Sequence, residues 1–201
     1  MADDNRIDRP DEVRLARMHD LRARGINPYP NDFKPSASIS EVADGPRVWK
    51  QNLLETDPDD WHAHRDSFNS SEKGEVAIAG RVMARRDFGK GIFLELQDRS
   101  GRLQVLLGKQ HLPPEAQAGL GQTFEFFKRD LDIGDFVGVR GTLFWTRTGE
   151  LTIQAGFAEL LCKALRPLPE KWHGLQDVET RYRQRYVDLM VNGDVRKVFV
   201  K

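Results

Sequence analysis

Two short segments in which every second residue is apolar limit the fold more than any other feature of the chain. Ile92, Leu94 and Leu96 alternate with Phe93, Glu95 and Gln97, and Leu103, Val105 and Leu107 alternate with Arg102, Gln104 and Leu106. A strand turns successive side chains to opposite faces, so the two aliphatic triplets share one buried face. Asp98-Arg99-Ser100-Gly101 joins the strands as a turn. The same parity sends Phe93 outward, among glutamate, glutamine and arginine. Stacking on an unpaired nucleobase gives an outward aromatic ring a function. Filling a gap under a helix or under the N-terminal segment is its structural alternative.

The flanking sequence extends this hairpin into a larger sheet. Val76, Ile78 and Val82 begin a preceding strand, with Gly80 read as a bulge or bend. Leu112-Pro113-Pro114-Glu115 starts a predicted helix through Ala116, Leu120, Phe124 and Phe127. Asp132-Ile133-Gly134-Asp135 turns into a fourth strand over 136–145, and Thr146-Arg147-Thr148-Gly149 is a hairpin turn. A fifth strand runs from Glu150 to about Gln154, with a second run to Leu161 after Gly156. The fold class expected is mainly β with flanking helices: a five-stranded Greek-key OB-fold barrel with an N-terminal helical extension. Such barrels bind oligonucleotides on strands two and three and on two loops, here 86–91 and 146–149.

Ahead of the barrel, Pro10 and Asp11-Glu12 open a helix carrying Leu15, Met18 and Leu21, and Gly25 stops it. Its arginines Arg14, Arg17, Arg22 and Arg24 either lie along RNA or form a solvated face. Ser38 with Glu41 is a capping box for a short helix ended by Asp44-Gly45-Pro46. Residues 47–73 mix Trp49, Leu53, Leu54, Trp61 and Phe68 with acids and serines, fitting a helical cap on the sheet or a mobile insertion. His62 and His64 read as ordinary polar histidines, and no metal site is expected. The division expected is 1–73 N-terminal helical extension and connector, 74–162 barrel, and 163–201 a linker and the truncated start of a further domain.

Lys+Arg 31 against Asp+Glu 31 leaves no net charge, so a nucleic-acid contact has to be local and shaped rather than bulk polycationic. The single cysteine, Cys162, rules out an internal disulfide framework and fits a reducing cytoplasm. No apolar run is long enough for a membrane span and no signal-peptide order is seen, so a cytoplasmic location is expected.

Parity also turns Gln104 outward on the third strand and Glu150, Thr152 and Gln154 outward on the fifth. With Phe93 they can converge on one extruded base. Uracil presents carbonyl acceptors to an arginine and a ring N–H to a carboxylate or amide oxygen, whereas cytosine mismatches the same groups. Arg85, Arg86, Lys90 and Arg147 sit at the loops, where phosphate contacts are expected. Simple alternation puts Arg85 rather than Arg86 on the outer face, unless a bulge or the turn re-aims the strand.

The run Arg85-Arg86, Gly89-Lys90, Phe93, Leu96-Gln97-Asp98, Gly101-Arg102-Leu103-Gln104 and Thr148-Gly149-Glu150-Leu151 resembles the anticodon-binding domain of class II lysyl-tRNA synthetases. Asparaginyl and aspartyl enzymes share that barrel. The stretches Leu165-Arg166-Pro167-Leu168-Pro169 and Arg181-Tyr182-Arg183-Gln184-Arg185-Tyr186 favour the lysine enzymes. The resemblance implies that Phe93 stacks on the central uridine of the lysine anticodon, with Arg86, Gln104 and Glu150 hydrogen-bonded to it. Arg85, Lys90 and Arg147 are then backbone or loop contacts. It also implies a ligase whose catalytic domain takes ATP and Mg2+ and whose parent is a homodimer. The chain stops at Phe199-Val200-Lys201, so it is expected to be a monomeric fragment with no catalytic residues and no cofactor of its own. A general single-strand-binding barrel is the rival reading.

Overall fold

The two alternating segments form the hairpin they predict. β2 (Gly91–Gln97) pairs antiparallel with β3 (Arg102–Gly108), with Leu94 opposite Val105 and Leu96 opposite Leu103. The computed structural model describes residues 11–114, 121–168 and 178–199. Within them β1 (Val76–Asp87), β4 (Phe136–Trp145) and β5 (Leu151–Cys162) complete a closed barrel in the order β1-β2-β3-β5-β4. Four of the five junctions are antiparallel, and β3 with β5 is parallel. This is the five-stranded OB-fold ring. Its interior holds Ile78, Val82, Ile92, Leu94, Leu96, Leu103, Val105, Leu107, Val139 and Ile153, all buried.

β1 departs from simple alternation, though not at Gly80. Its register against β2 shifts between Val82 and Ala84, leaving Met83 as the extra residue. Gly80 serves close approach instead, since a Cβ there would meet the Gln97 carbonyl oxygen at 3.0 Å. β5 is one continuous strand rather than two runs. Its pairing with β4 skips Gly156, where Arg140 faces Phe157 and Gly141 faces Ala155. Gly141 is required at that step, because a Cβ would lie 2.0 Å from the Gln154 carbonyl oxygen.

α1 (Glu12–Ala23) begins after Pro10 as expected and ends before Gly25, which has φ +73. α2 (Ile39–Thr56) carries the predicted capping box but runs on through Gly45 and Pro46. The missing proline N–H removes one rung, and the residues beyond it hold the helix by packing. Trp49 lies 5.3 Å from Phe68 and 6.4 Å from Trp61 between ring centroids. Both partners come from α3 (Trp61–Ser70), which follows a single 3-10 turn over Pro58–Asp60. Trp61 and Phe68 in turn face Trp145 at the end of β4. The region that sequence reading left between two descriptions is therefore a helical cap on the sheet.

Of the helix predicted from Leu112 onward, residues 115–120 lie outside the described ones. α4 (Phe124–Asp130) is capped by Thr123 and adds Phe124 and Phe127 to the core. The chain divides into two compact units. Arg17–Ala164 contains the barrel, and Met1–Ala16 with Leu165–Lys201 forms the other. In the latter α5 (Val178–Arg183), α6 (Arg185–Val191) and α7 (Gly193–Phe199) follow one another, and buried Asp188 accepts from Arg181 and Arg185. No described helix is long and apolar enough to cross a membrane.

Candidate nucleic-acid interface

The bulge at Met83 decides which arginine reaches the outer face. After it, Arg85 stands opposite Leu94, an inward residue, while Arg86 stands opposite Phe93, an outward one. Arg85 is accordingly tied down. Its guanidinium donates to both carboxylate oxygens of Asp87, at 2.8 and 2.7 Å, and to the carbonyls of Leu131 and Lys128. The Arg85 hydrogen bond holds the Asp87 carboxyl below its usual value, against the opposing effect of burial. Arg86 is exposed and makes no ion pair among the described residues. It is the uncommitted guanidinium of the face.

Phe93 projects outward from β2 and is only half-buried. Phe88, from the β1–β2 turn, stacks beside it at 5.1 Å with 27° between the planes. Phe88 is 51% exposed, so the two rings make a shelf with a free edge. Beside this shelf opens a cleft of about 610 Å3, lined by Phe88, Lys90, Leu106, Lys109 and His111 among others. Gln154 Nε2 lies 3.1 Å from both ring nitrogens of His111. Sequence reasoning missed Phe88 and His111. The place of Phe88 next to Gly89 in a tight turn was a usable signal, whereas nothing marked His111.

The polar side of the slot is built from strand pairing. Gln104 faces Glu95 on β2 and Thr152 on β5. Its Nε2 donates to Thr152 Oγ1 at 2.9 Å, which leaves the amide oxygen as an acceptor. The Thr152 hydroxyl donates onward to the Glu150 carbonyl at 3.2 Å. Thr152 is fully buried, so this relay joins Gln104 to the residue carrying the Glu150 carboxylate. Glu150 itself is exposed at the β4–β5 turn. Glu95 is already paired, with Arg102 at 2.7 Å, and Arg102 also donates to Gln97. Lys90 and Arg147 are exposed at the two turns and, like Arg86, are free of ion pairs among the described residues.

The arrangement thus presents an aromatic shelf, one free guanidinium, an amide oxygen and a carboxylate-bearing turn on one face, with free cations at both rims. It suits a flat heterocycle with carbonyl edges and a phosphate on either side. The histidines singled out by spacing lie elsewhere, on α3. His64 Nε2 sits 3.7 Å from Asp57 and 3.9 Å from Asp60, all three at the surface in a helix-end charge cluster.

The barrel and the chain around it are similar to known proteins. Residues 76–161 match the tRNA anticodon family, described as an OB-fold nucleic acid binding domain. The lysine–tRNA ligase of Moorella thermoacetica is 43% identical over 188 residues, 94% of this chain and 32% of that protein. That of Magnetococcus marinus is 44% identical over 187 residues, 93% of this chain and 33% of the relative. That of Anaeromyxobacter sp. (strain K) is 45% identical over 188 residues, 94% and 32% respectively. The chain spans about a third of the length of these curated relatives.

Proposed function

We propose that this chain, which carries over residues 76–161 an OB-fold nucleic-acid-binding domain of the anticodon-binding family, reads the anticodon of lysine tRNA on the Phe93 face. The observation that carries the reading is the cross-strand pair Arg86–Phe93, created by the β1 bulge. It sets a free cation beside an outward ring. The central uridine of the anticodon stacks on Phe93, and Arg86 donates to one of its carbonyl oxygens. Gln104 Oε1 and the Glu150 carboxylate accept from the ring N–H. A cytidine in the same slot offers a bare ring nitrogen to these acceptors and leaves them unpaired, which is costly once water is excluded. Lys90 and Arg147 take the flanking phosphates. The amino-acid identity is supported by the lysine–tRNA ligases that match nearly the whole chain. It is preferred to a general single-strand binder because zero net charge supplies no broad cationic track.

In the whole protein, this domain holds tRNA for a lysine–tRNA ligase that forms lysyl-tRNA from lysine, ATP and tRNA. Activation with ATP and Mg2+ takes place in a separate catalytic domain, and the enzyme acts as a homodimer. The test is a titration of the chain with anticodon hairpins that differ only at the central base, read by nuclear magnetic resonance. The central-uridine hairpin should bind roughly tenfold or more tightly than the cytidine one, and shift Phe93, Arg86 and Gln104. Equal affinities overturn the proposal.

A further inference from the structure

The β4–β5 turn, which carries Glu150 and Arg147, is held from both ends by the helical cap. On one side Lys50 Nζ, from α2, donates to the Gly149 carbonyl at 2.5 Å. The same ammonium lies 4.8 Å from the Trp61 ring and 5.0 Å from the Trp145 ring. Gly149 has φ +78, and a Cβ there would meet Lys50 Nζ at 2.8 Å, so the turn's backbone is shaped around the ammonium. On the other side Asn69, from α3, makes two bonds to the Trp145 backbone. Its Nδ2 donates to the carbonyl at 2.9 Å, and its Oδ1 accepts the N–H at 2.8 Å. Between these anchors the turn is wired to itself: Thr146 N donates to Glu150 O, Gly149 N to Thr146 O, and Glu150 N to Thr146 Oγ1.

α2 is itself pinned to the turn between β2 and β3. Ile39 N donates to Asp98 Oδ2, Ser40 N to Ser100 Oγ, and the Arg47 guanidinium to the Arg102 carbonyl. The helix therefore spans from one turn of the Gln104 strand pair to the turn bearing Glu150. A hairpin tip with exposed Arg147, Thr148 and Glu150 would otherwise have to be ordered when ligand binds, at a cost in affinity. A methionine at position 50 would keep an apolar stem against the tryptophans but has no donor for the Gly149 carbonyl.

We propose that Lys50 and Asn69 are positioning residues for base selection: by fixing the β4–β5 turn they set the place from which Glu150 accepts the uridine ring N–H. The inference rests on the reading of the Phe93 face given above. Its test uses the full chain and the two hairpins with central uridine or cytidine. Lys50→Met and Asn69→Ala should each lower the uridine-over-cytidine preference roughly three- to tenfold, the effect of one hydrogen bond. Lys50→Arg, which keeps cation and donor, should restore it. In a Glu150→Ala background Lys50→Met should add no further loss, because both act on one contact. A Lys50→Met chain with unchanged preference and an unchanged melting transition overturns the inference, as does a loss fully additive with Glu150→Ala. Should Lys50→Met not fold, Asn69→Ala decides by the same ratio. Phe93→Ala, measured in parallel, separates the two ideas. If it too leaves hairpin affinity unaltered, base reading on this face fails. If it weakens binding while Lys50→Met does nothing, only the anchoring fails.

Discussion

Arg85 and Arg86 are adjacent, chemically identical and differently employed. Arg85 closes on Asp87 and on two backbone carbonyls, while Arg86 stands free beside Phe93. Their alanine variants should part accordingly. Arg86→Ala should weaken hairpin binding about tenfold with the unfolding midpoint unmoved, whereas Arg85→Ala should cost stability of about 1–3 kcal/mol, read by urea titration. Phe93→Ala should lower affinity by about 1–3 kcal/mol through lost stacking, measured by calorimetry with the uridine hairpin. Phe93, Gln104 and the position of Glu150 are legible in the sequence because strand parity is local. Arg86 is not legible by parity, because the residue that reverses it, Met83, owes its status to pairing with another strand. Resemblance to the lysine enzymes supplies what periodicity cannot.

Among the elements, α2 shows how a helix start is readable and its end is not. Ser38 and Glu41 announce the cap, and both bonds of the capping box form. The stop expected at Gly45-Pro46 is overridden, since interior proline costs about 3 kcal/mol and aromatic packing beyond it opposes that loss. What anchors the helix start was hidden as well. Asp98 accepts from Ile39 N with one oxygen and from Ser100 and Gly101 with the other. Burial alone would raise this carboxyl, but those hydrogen bonds outweigh it and hold the group below its usual value. A depressed folded pKa contributes stability above the unfolded value and loses it as acid protonates the folded carboxylate. Asp98→Asn should therefore cost about 1–3 kcal/mol at neutral pH. It should also flatten the fall in stability below about pH 4, seen by thermal melts across a pH series.

At the scale of the whole molecule, zero net charge and few free cations on the face predict weak dependence on salt. Two to four phosphate contacts give a slope of about −1.5 to −3 in log affinity against log salt, and a much steeper slope would favour the general single-strand binder. The barrel's closing residues rest on a buried lysine. Lys163 Nζ donates to Asp132, Asp135 and the Asp130 carbonyl at 2.6–2.7 Å, while Arg17 and Arg24 reach Asp132 and Asp130 from α1 and its end. Burial pushes the Asp135 carboxyl up despite the lysine, and Lys163 with Arg17 overcomes burial to pull Asp132 down. Lys163→Met should destabilise by about 3–5 kcal/mol, since buried Asp135 loses its cation and Asp132 keeps only Arg17, and adding Asp135→Asn should recover part of it in urea denaturation. Nothing in the sequence marks Lys163 as interior, because its partners lie some thirty positions away and meet it only when β4 and β5 align.

The extra residue in β1 carries a lesson about heredity. A codon lost at Met83 would remove the bulge yet leave Arg86 opposite Phe93, because the shortened strand would alternate from Val82 through Ala84 and Arg85 in the register it already keeps. In this protein the chemical meaning of a side chain depends on counting from its partner strand, so a one-codon deletion there is expected to spare the site, whereas replacing Arg86 itself silences it.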